Sequence, residues 1–496
     1  MGILISSLME ESGVSFGTSG VRGLAESMTD YVCYAYTVAF LQHLESLDVL
    51  MPGGNVAIAG DFRPSSPRVM LAVANAVEGK GYTPINCGFV PSPAVALWGI
   101  QQGIPSIMVT GSHIPDDRNG IKFNTPTGEI LKADEEGVRG QMVAVNSGLF
   151  DDRGMLKPQE AVFGENDFAY QAHKARYLGF FAAGALQGKR IGIYEQSTVA
   201  RQVLGEILEE LGADVVRLGY SDVFIPVDTE AIRPEDVSLA KKWAGQYQLD
   251  SIVSADGDGD RPLISDENGN WLRGDVAGVL CARYLGAHWI ATPVSCNSVV
   301  EKCGWFEGVE RTRIGSPFVI EAMDRLRDKG REAIVGYEAN GGFLTADRLE
   351  RHGRILEPLP TRDALIVILS ILMLSKERGV SISGLLNQLP PRYTFSDRLK
   401  DFPSESSNSI IGKFSTGDAV HDQAAINRAF GNSLGCVQSI DKTDGLRITF
   451  ENNEVVHLRP SGNAPELRCY TEADSEQRAQ EINRWCMALL KEWSKK

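Results

Sequence analysis

The chain is short of positive charge. Lys and Arg number 49 against 64 Asp and Glu, a formal net charge of −15 over 496 residues. A nucleic-acid binder needs a basic face, and an anionic membrane surface repels an acidic chain, so neither partner is expected. An anionic small substrate stays open, because a site can be locally basic on an acidic protein. Long hydrophobic runs are also missing. The longest lies between Asp363 and Lys376, broken by Ser370 and ending on Ser375, and falls short of the roughly 20 residues a membrane span requires. Met1 to Met9 has no basic region before its apolar stretch and soon meets Glu10 and Glu11, a poor signal peptide. The eight cysteines (Cys33, Cys87, Cys281, Cys296, Cys303, Cys436, Cys469, Cys486) form no C-x-x-C pair. They read as reduced, mostly buried thiols, and a cytoplasmic location is the expectation.

What is present is ordinary globular material. With 43% hydrophobic and 23% charged residues, disorder is excluded. At roughly 100–200 residues per domain, the length predicts about three or four domains. Short β-branched runs alternate with helical patterns. Val56–Ala59 precedes a helix starting near Pro67, and Arg190–Tyr194 precedes one around Val199–Leu211. Val215–Leu218, Trp289–Ala291 and Ala333–Val335 continue the series, which reads as βαβ units on a largely parallel sheet. A weak internal repeat runs through it. Ser106–Thr110, Ser251–Ala255 and Ala333–Tyr337 each lead straight into a polar, Gly-containing loop. Ligands sit at such carboxyl ends of strands, so three related α/β domains facing one cleft are expected. The last hundred residues differ. After Pro390-Pro391 come a Ser-rich stretch, Ser404 to Ser409, and strand-like Gly445–Phe450 and Glu454–Leu458 around the turn signal Asn452-Asn453. A helix from Ser475 to Trp493 closes the chain, with Ser475 as N-cap. This is a smaller α+β domain.

Five motifs carry chemistry. In Asp256-Gly257-Asp258-Gly259-Asp260-Arg261, three carboxylates at alternate positions can aim oxygens at one point, a donor set for Mg²⁺ or Ca²⁺. An EF-hand is excluded, because its sixth position requires Gly and here holds Arg261. A phosphatase with an aspartate nucleophile would start similarly but place Thr or Val at Asp260. The second motif is Thr110-Gly111-Ser112-His113-Ile114-Pro115, followed by Asn119-Gly120-Ile121-Lys122-Phe123. Ser112 is a candidate nucleophile or phosphate carrier, although G-x-S-x-G is absent. Lys122 is a candidate acid/base group, and His113, adjoining Ser112, is a poor direct base for it. Gly17-Thr18-Ser19-Gly20-Val21-Arg22-Gly23 places Gly-rich backbone beside Arg, an anion cradle. Arg459-Pro460-Ser461-Gly462-Asn463, continuing to Arg468, suits a phosphate clamp. Glu338-Ala339-Asn340-Gly341-Gly342 puts a carboxylate and an amide on a tight loop, as for sugar hydroxyls.

These five pieces, in this order from Gly17 to Arg468, resemble the α-D-phosphohexomutase family of phosphomannomutases, phosphoglucomutases and phosphoglucosamine mutases. The resemblance implies three related mixed-sheet α/β domains plus a smaller C-terminal α+β domain around one central cleft. Their expected limits are 1–158, 159–270, 271–390 and 391–496. It implies an enzyme, an intramolecular phosphotransferase that interconverts hexose 6-phosphate and hexose 1-phosphate through a phosphoserine at Ser112 and a hexose 1,6-bisphosphate intermediate. Mg²⁺ would be held by Asp256, Asp258, Asp260 and Ser112. Lys122 would be the acid/base, with Arg22, His113 and Arg261 beside the phosphoserine. Glu338 and Asn340 would bind the sugar, and Arg459, Ser461, Asn463 and Arg468 the distal phosphate. Many members carry a His where this chain has Gly342, so another group must cover that contact. The loop at Gly315-Ser316-Pro317 lacks the usual His or Asp after Gly. The opening motif and the Glu338-Ala339-Asn340 variant favour mannose, with glucose and glucosamine phosphates as alternatives. A sugar phosphatase and a non-catalytic sugar-phosphate binder are the rivals. A monomer or homodimer is expected.

Overall fold

The computed structural model describes residues 2–17, 20–157, 164–461 and 465–493. They form two compact units. One comprises Met1–His288 and Gly315–Leu385, the other Trp289–Ile314 and Leu386–Lys496.

The first unit is built on α/β sheets. Its largest sheet runs, in spatial order, Ser15–Phe16, Val21–Leu24, Arg118–Thr125, Ser106–Val109, Asn55–Gly60 and Thr83–Asn86. Apolar side chains of Val56, Ile58, Ile107 and Val109 pack beneath the helices Asp30–Ser46 and Ser66–Gly79 to form its core. A second sheet orders Asp214–Tyr220, Arg190–Gln196, Ser251–Ala255 and Pro262–Ile264. The sheets are mixed rather than largely parallel, and the reason is common to all three repeats. Each apolar strand enters its loop and returns antiparallel beside itself. Ser106–Val109 pairs with Arg118–Thr125, Ser251–Ala255 with Pro262–Ile264, and Ile334–Tyr337 with Phe343–Thr345. The three functional loops are therefore hairpin tips. The return strand of the first carries Lys122 opposite Met108, and its far neighbour places Arg22 opposite Gly120. Gly20 allows that approach, since a Cβ there would lie 2.2 Å from the Ile121 carbonyl oxygen.

The apolar run after Asp363 forms the helix Ala364–Arg378, buried through Ser375 and capped by Asp363, whose Oδ1 accepts from the amides of Leu365 and Ile366. Among the described residues no helix is long and apolar enough to cross a membrane.

The second unit holds the parallel pair Trp289–Pro293 and Gly308–Thr312. It also holds an antiparallel sheet in the order Tyr393–Leu399, Leu467–Ala473, Val455–Pro460, Leu446–Phe450, Val437–Asp441. The expected hairpin at Asn452-Asn453 and the closing helix, Glu476–Trp493, are present, and Ser475 Oγ accepts from the Arg478 amide as its cap. The strand Tyr393–Leu399 and the helices Ser404–Gly412 and Ala419–Leu434 are elements the sequence does not announce.

Candidate active site

The Ser112 loop turns sharply. Ser112 itself has φ 56°, in the left-handed region that L-residues occupy at a cost. What holds it there is Arg63, 1% exposed. Its Nη2 donates to the carbonyls of Ser112 (2.7 Å) and Ile114 (2.6 Å). Nη1 donates to those of Pro115 (2.7 Å) and Arg118 (3.2 Å). Asp61 anchors the other side, accepting from Arg63 Nε at 3.1 Å and from Thr110 Oγ1 at 2.7 Å, and Thr110 Oγ1 in turn receives the Ser112 amide at 2.7 Å.

That geometry aims Ser112 Oγ at the acidic loop, where it donates to Asp256 Oδ2 at 2.7 Å. Ser112 and all three aspartates are buried. One carboxylate oxygen from each of Asp256, Asp258 and Asp260 lies within 4.8 Å of the others. Lys122 Nζ, from the return strand, donates to Asp258 Oδ2 and to Asp260 Oδ2 at 2.5 Å each. Ser92 Oγ also donates to Asp258 Oδ2, at 2.5 Å. Burial and the two neighbouring carboxylates push the Asp256 carboxyl well above its usual range. Burial pushes Asp258 the same way, but Lys122 and Ser92 outweigh it and hold that group below. Asp258 Oδ1 and Asp260 Oδ1 are buried without a hydrogen-bond partner among the described residues. An all-oxygen set with orphaned carboxylate oxygens fits a hard divalent cation.

Positive charge surrounds this cluster. Arg261 Nη1 donates to His113 Nδ1 at 2.8 Å. Burial, then Arg261 and Arg22, push the imidazole down to about 2, so His113 is neutral. Loss of solvent, then Arg261 and Arg362, bring the Arg22 guanidinium down to about 10. Three arginines crowded together are stabilised by a bound dianion such as a phosphoryl group.

Glu338 and Asn340 lie at the third hairpin tip. Burial raises the Glu338 carboxyl against the opposing pull of Arg362 and Arg261. Asn340 Oδ1 accepts from the Gly342 amide at 2.9 Å. Where the resemblance leads one to expect a histidine, a Cβ on Gly342 would lie 2.6 Å from Arg362 Cδ. Arg362 therefore fills that place.

In the second unit, Arg459 and Arg468 face each other across adjacent strands. Arg459 Nε donates to Asp444 Oδ2 at 2.9 Å, and the Ser461 amide to the Glu466 carbonyl at 2.8 Å. Asn463, like Thr18 and Ser19 of the opening motif, lies outside the described residues. Arg398, which the sequence does not single out, sits opposite Arg468 on the next strand. Glu466 lies 3.4 Å from Arg398 Nη1 and 3.8 Å from Arg468 Nε, so two carboxylates, Glu466 and Asp444, answer three arginines at one register, and the remaining positive charge suits an anion. Arg63, Ser92, Arg362 and Arg398 were all missed, since each is an isolated residue whose role depends on where another segment passes.

Comparison with known proteins agrees. The phosphoglucomutase/phosphomannomutase family matches in three segments: alpha/beta/alpha domain I over 13–146, alpha/beta/alpha domain III over 273–393 and the C-terminal domain over 413–484. A phosphomannomutase of Salmonella muenchen is 44% identical, covering 98% of this chain and 97% of its own. One of Sinorhizobium fredii is 40% identical, covering 96% and 99%. Among solved structures, a putative phosphomannomutase from Thermus thermophilus superposes with a TM-score of 0.73 at 19% identity, covering 96% of this chain and 99% of its own. With the hairpin tips, the acidic cluster and these matches in hand, the chain belongs to the phosphoglucomutase/phosphomannomutase, or α-D-phosphohexomutase, family.

Proposed function

We propose that this enzyme interconverts hexose 6-phosphate and hexose 1-phosphate, with mannose as the hexose and Ser112 as the phosphoryl carrier. The observation that carries the reading is the 2.7 Å hydrogen bond from Ser112 Oγ to Asp256, with Lys122 at 2.5 Å from the two other carboxylates of the cluster. Mannose is supported by two relatives, at 44% and 40% identity, both named phosphomannomutase.

In this reading the Oγ–P bond of phosphorylated Ser112 breaks as a sugar hydroxyl oxygen bonds the phosphorus. Lys122, as the acid/base group, gives a proton to the departing Ser112 Oγ and recovers one from the sugar hydroxyl. The resulting hexose 1,6-bisphosphate, also the activator, turns over and returns its other phosphoryl group to Ser112. Mg²⁺ held by Asp256, Asp258, Asp260 and Ser112 would offset charge on the transferring group. Arg22 and Arg261 bind its oxygens, with His113, neutral, fixing the Arg261 fork. Glu338 and Asn340 take sugar hydroxyls. Arg459, Ser461, Asn463 and Arg468 hold the non-transferring phosphate. The division into four domains at 158, 270 and 390 and a cytoplasmic setting, in keeping with eight free thiols, belong to the same proposal.

The test is intact-mass measurement beside turnover. The expected result is one phosphate on the wild-type chain, absent in Ser112→Ala, with turnover lost. Normal turnover in Ser112→Ala would refute the mechanism. Rates on mannose, glucose and glucosamine 1-phosphates, compared as kcat/KM, decide the sugar.

A further inference from the structure

We propose that Arg362 is the positioning residue for the sugar-facing carboxylate of Glu338, and that position 342 is glycine to make room for it. The recognition half of this rests on the mutase reading above; the steric half does not.

Arg362 is 1% exposed and ends among carboxylates from all three repeats. Nη2 lies 3.1 Å from Asp260 Oδ2 of the acidic loop. Nη1 lies 3.5 Å from Glu338 Oε2 of the third loop. Nε lies 3.9 Å from Glu129 Oε1, beyond the strand that carries Lys122. A buried guanidinium is tolerated only when its charge is answered, and here it is answered by three segments at once.

The three carboxylates differ in what remains of them. Glu129 is taken up by hydroxyls, Thr361 on Oε1 and Ser316 on Oε2, both at 2.7 Å. Asp260 Oδ2 already receives Lys122. Glu338 Oε2 is buried, and among the described residues no hydrogen bond reaches it. Arg362 holds it through charge at 3.5 Å without using it up. A carboxylate oxygen fixed in place but lacking a donor is what a sugar hydroxyl needs.

Gly342 completes the argument. Its φ lies outside the left-handed region, so the backbone does not demand glycine. Space does. A Cβ would sit 2.6 Å from Arg362 Cδ, 2.7 Å from Cγ and 3.0 Å from Asn340 Oδ1. Any larger residue must push the arginine stem, and with it the fork that faces Glu338 and Asp260.

Two measurements test this. The first is a thermal-melting cycle of Gly342→Ala, Arg362→Ala and the double variant. Gly342→Ala should lower the melting temperature when Arg362 is present and cost nothing when it has been truncated, because the methyl then enters vacated space. Additive shifts overturn the pairing, whatever reaction the protein catalyses. The second is Arg362→Lys, which keeps the charge and loses the planar fork. The ratio of kcat/KM for mannose 1-phosphate to that for glucose 1-phosphate should change by about fivefold or more. Glu338→Gln in that background should then change the ratio little further. A purely structural arginine would depress both sugars alike, so an unchanged ratio overturns the positioning role. Failure of the wild type to convert either sugar phosphate would sink the mutase reading instead, and the melting cycle would still decide the steric half.

Discussion

Arg63 shows how much of the geometry around Ser112 depends on one buried residue. Its five hydrogen bonds hold four carbonyls and Asp61 around a left-handed Ser112. A lysine has the charge but cannot span four carbonyls, because its three donors radiate from one atom. Arg63→Lys should therefore lower kcat by about tenfold or more while KM moves little, since in the proposed mechanism the loop carries the phosphoryl group and not the sugar. It should also lower unfolding free energy by roughly 2–4 kcal/mol through carbonyls left unpaired. Steady-state kinetics beside denaturant unfolding checks both, and an unchanged kcat would show that Ser112 keeps its place unaided. Arg398 gives the opposite signature. It is half-exposed and faces Arg468, so Arg398→Gln should raise KM for the hexose phosphate about two- to fivefold with kcat preserved. A reduced kcat at constant KM would remove it from the anion site.

At the level of elements, the tips of the three hairpins were readable because each follows a short apolar strand. Ser251–Ala255 is found with the limits its β-branched run suggests, and Ser106 and Val109 bound another. The return strands were not readable. Pro262–Ile264 and Phe343–Thr345 are three residues each, too short to show alternation. Tyr393–Leu399 was hidden for another reason: Asp397 and Arg398 interrupt its apolar pattern, and pairing with Leu467–Ala473 makes it a strand anyway. The run from Ala364 to Ser375 is almost wholly apolar and buried on every side, so periodicity could not say what covers it. The structure supplies a polar anchor at its start. Asp363 caps this helix and accepts from Tyr177 Oη at 2.5 Å, and Tyr177 Oη also meets His173 Nε2 at 2.9 Å. Removing that carboxylate loses a cap, one of the two partners of a buried phenol, and the carboxylate 3.7 Å from the buried Arg176 Nε. Asp363→Ala should cost on the order of 3 kcal/mol, and Asp363→Asn, which can still cap, distinctly less. Equal losses in the two variants, measured by urea unfolding, would place the effect elsewhere.

For the whole molecule, the net charge of −15 does not describe the site, where Arg22, Lys122, Arg261 and Arg362 gather against the aspartates. Nor does it decide how the molecule meets acid, because many titrating groups oppose one another. Histidine gives a separable contribution, and two imidazoles almost wholly out of solvent, one in each unit, show it. His173 in the first unit is brought down to about 3 by burial and then Arg176. His457 in the second, with Nε2 at 2.7 Å from the Asp444 carbonyl, is brought down to about 4, burial again leading. Both are neutral when folded. An unfolded chain takes up a proton on each below about pH 6.5, which the native state refuses until about pH 3 at His173 and about pH 4 at His457. The unfolded state then binds more protons, so stability falls as pH drops through that interval, by up to about 1.4 kcal/mol per pH unit for each imidazole. Replacing either with glutamine removes that slope. The free energy of unfolding of the wild type minus that of His173→Gln should rise with pH between about 4.5 and 6.5 and level off above about 7. His457→Gln should behave alike. Subtracting the variant cancels the carboxylates, whose opposing shifts would otherwise mask the histidines. Parallel curves for wild type and variant across the interval would mean that the imidazole titrates in the folded chain as it does in the unfolded one.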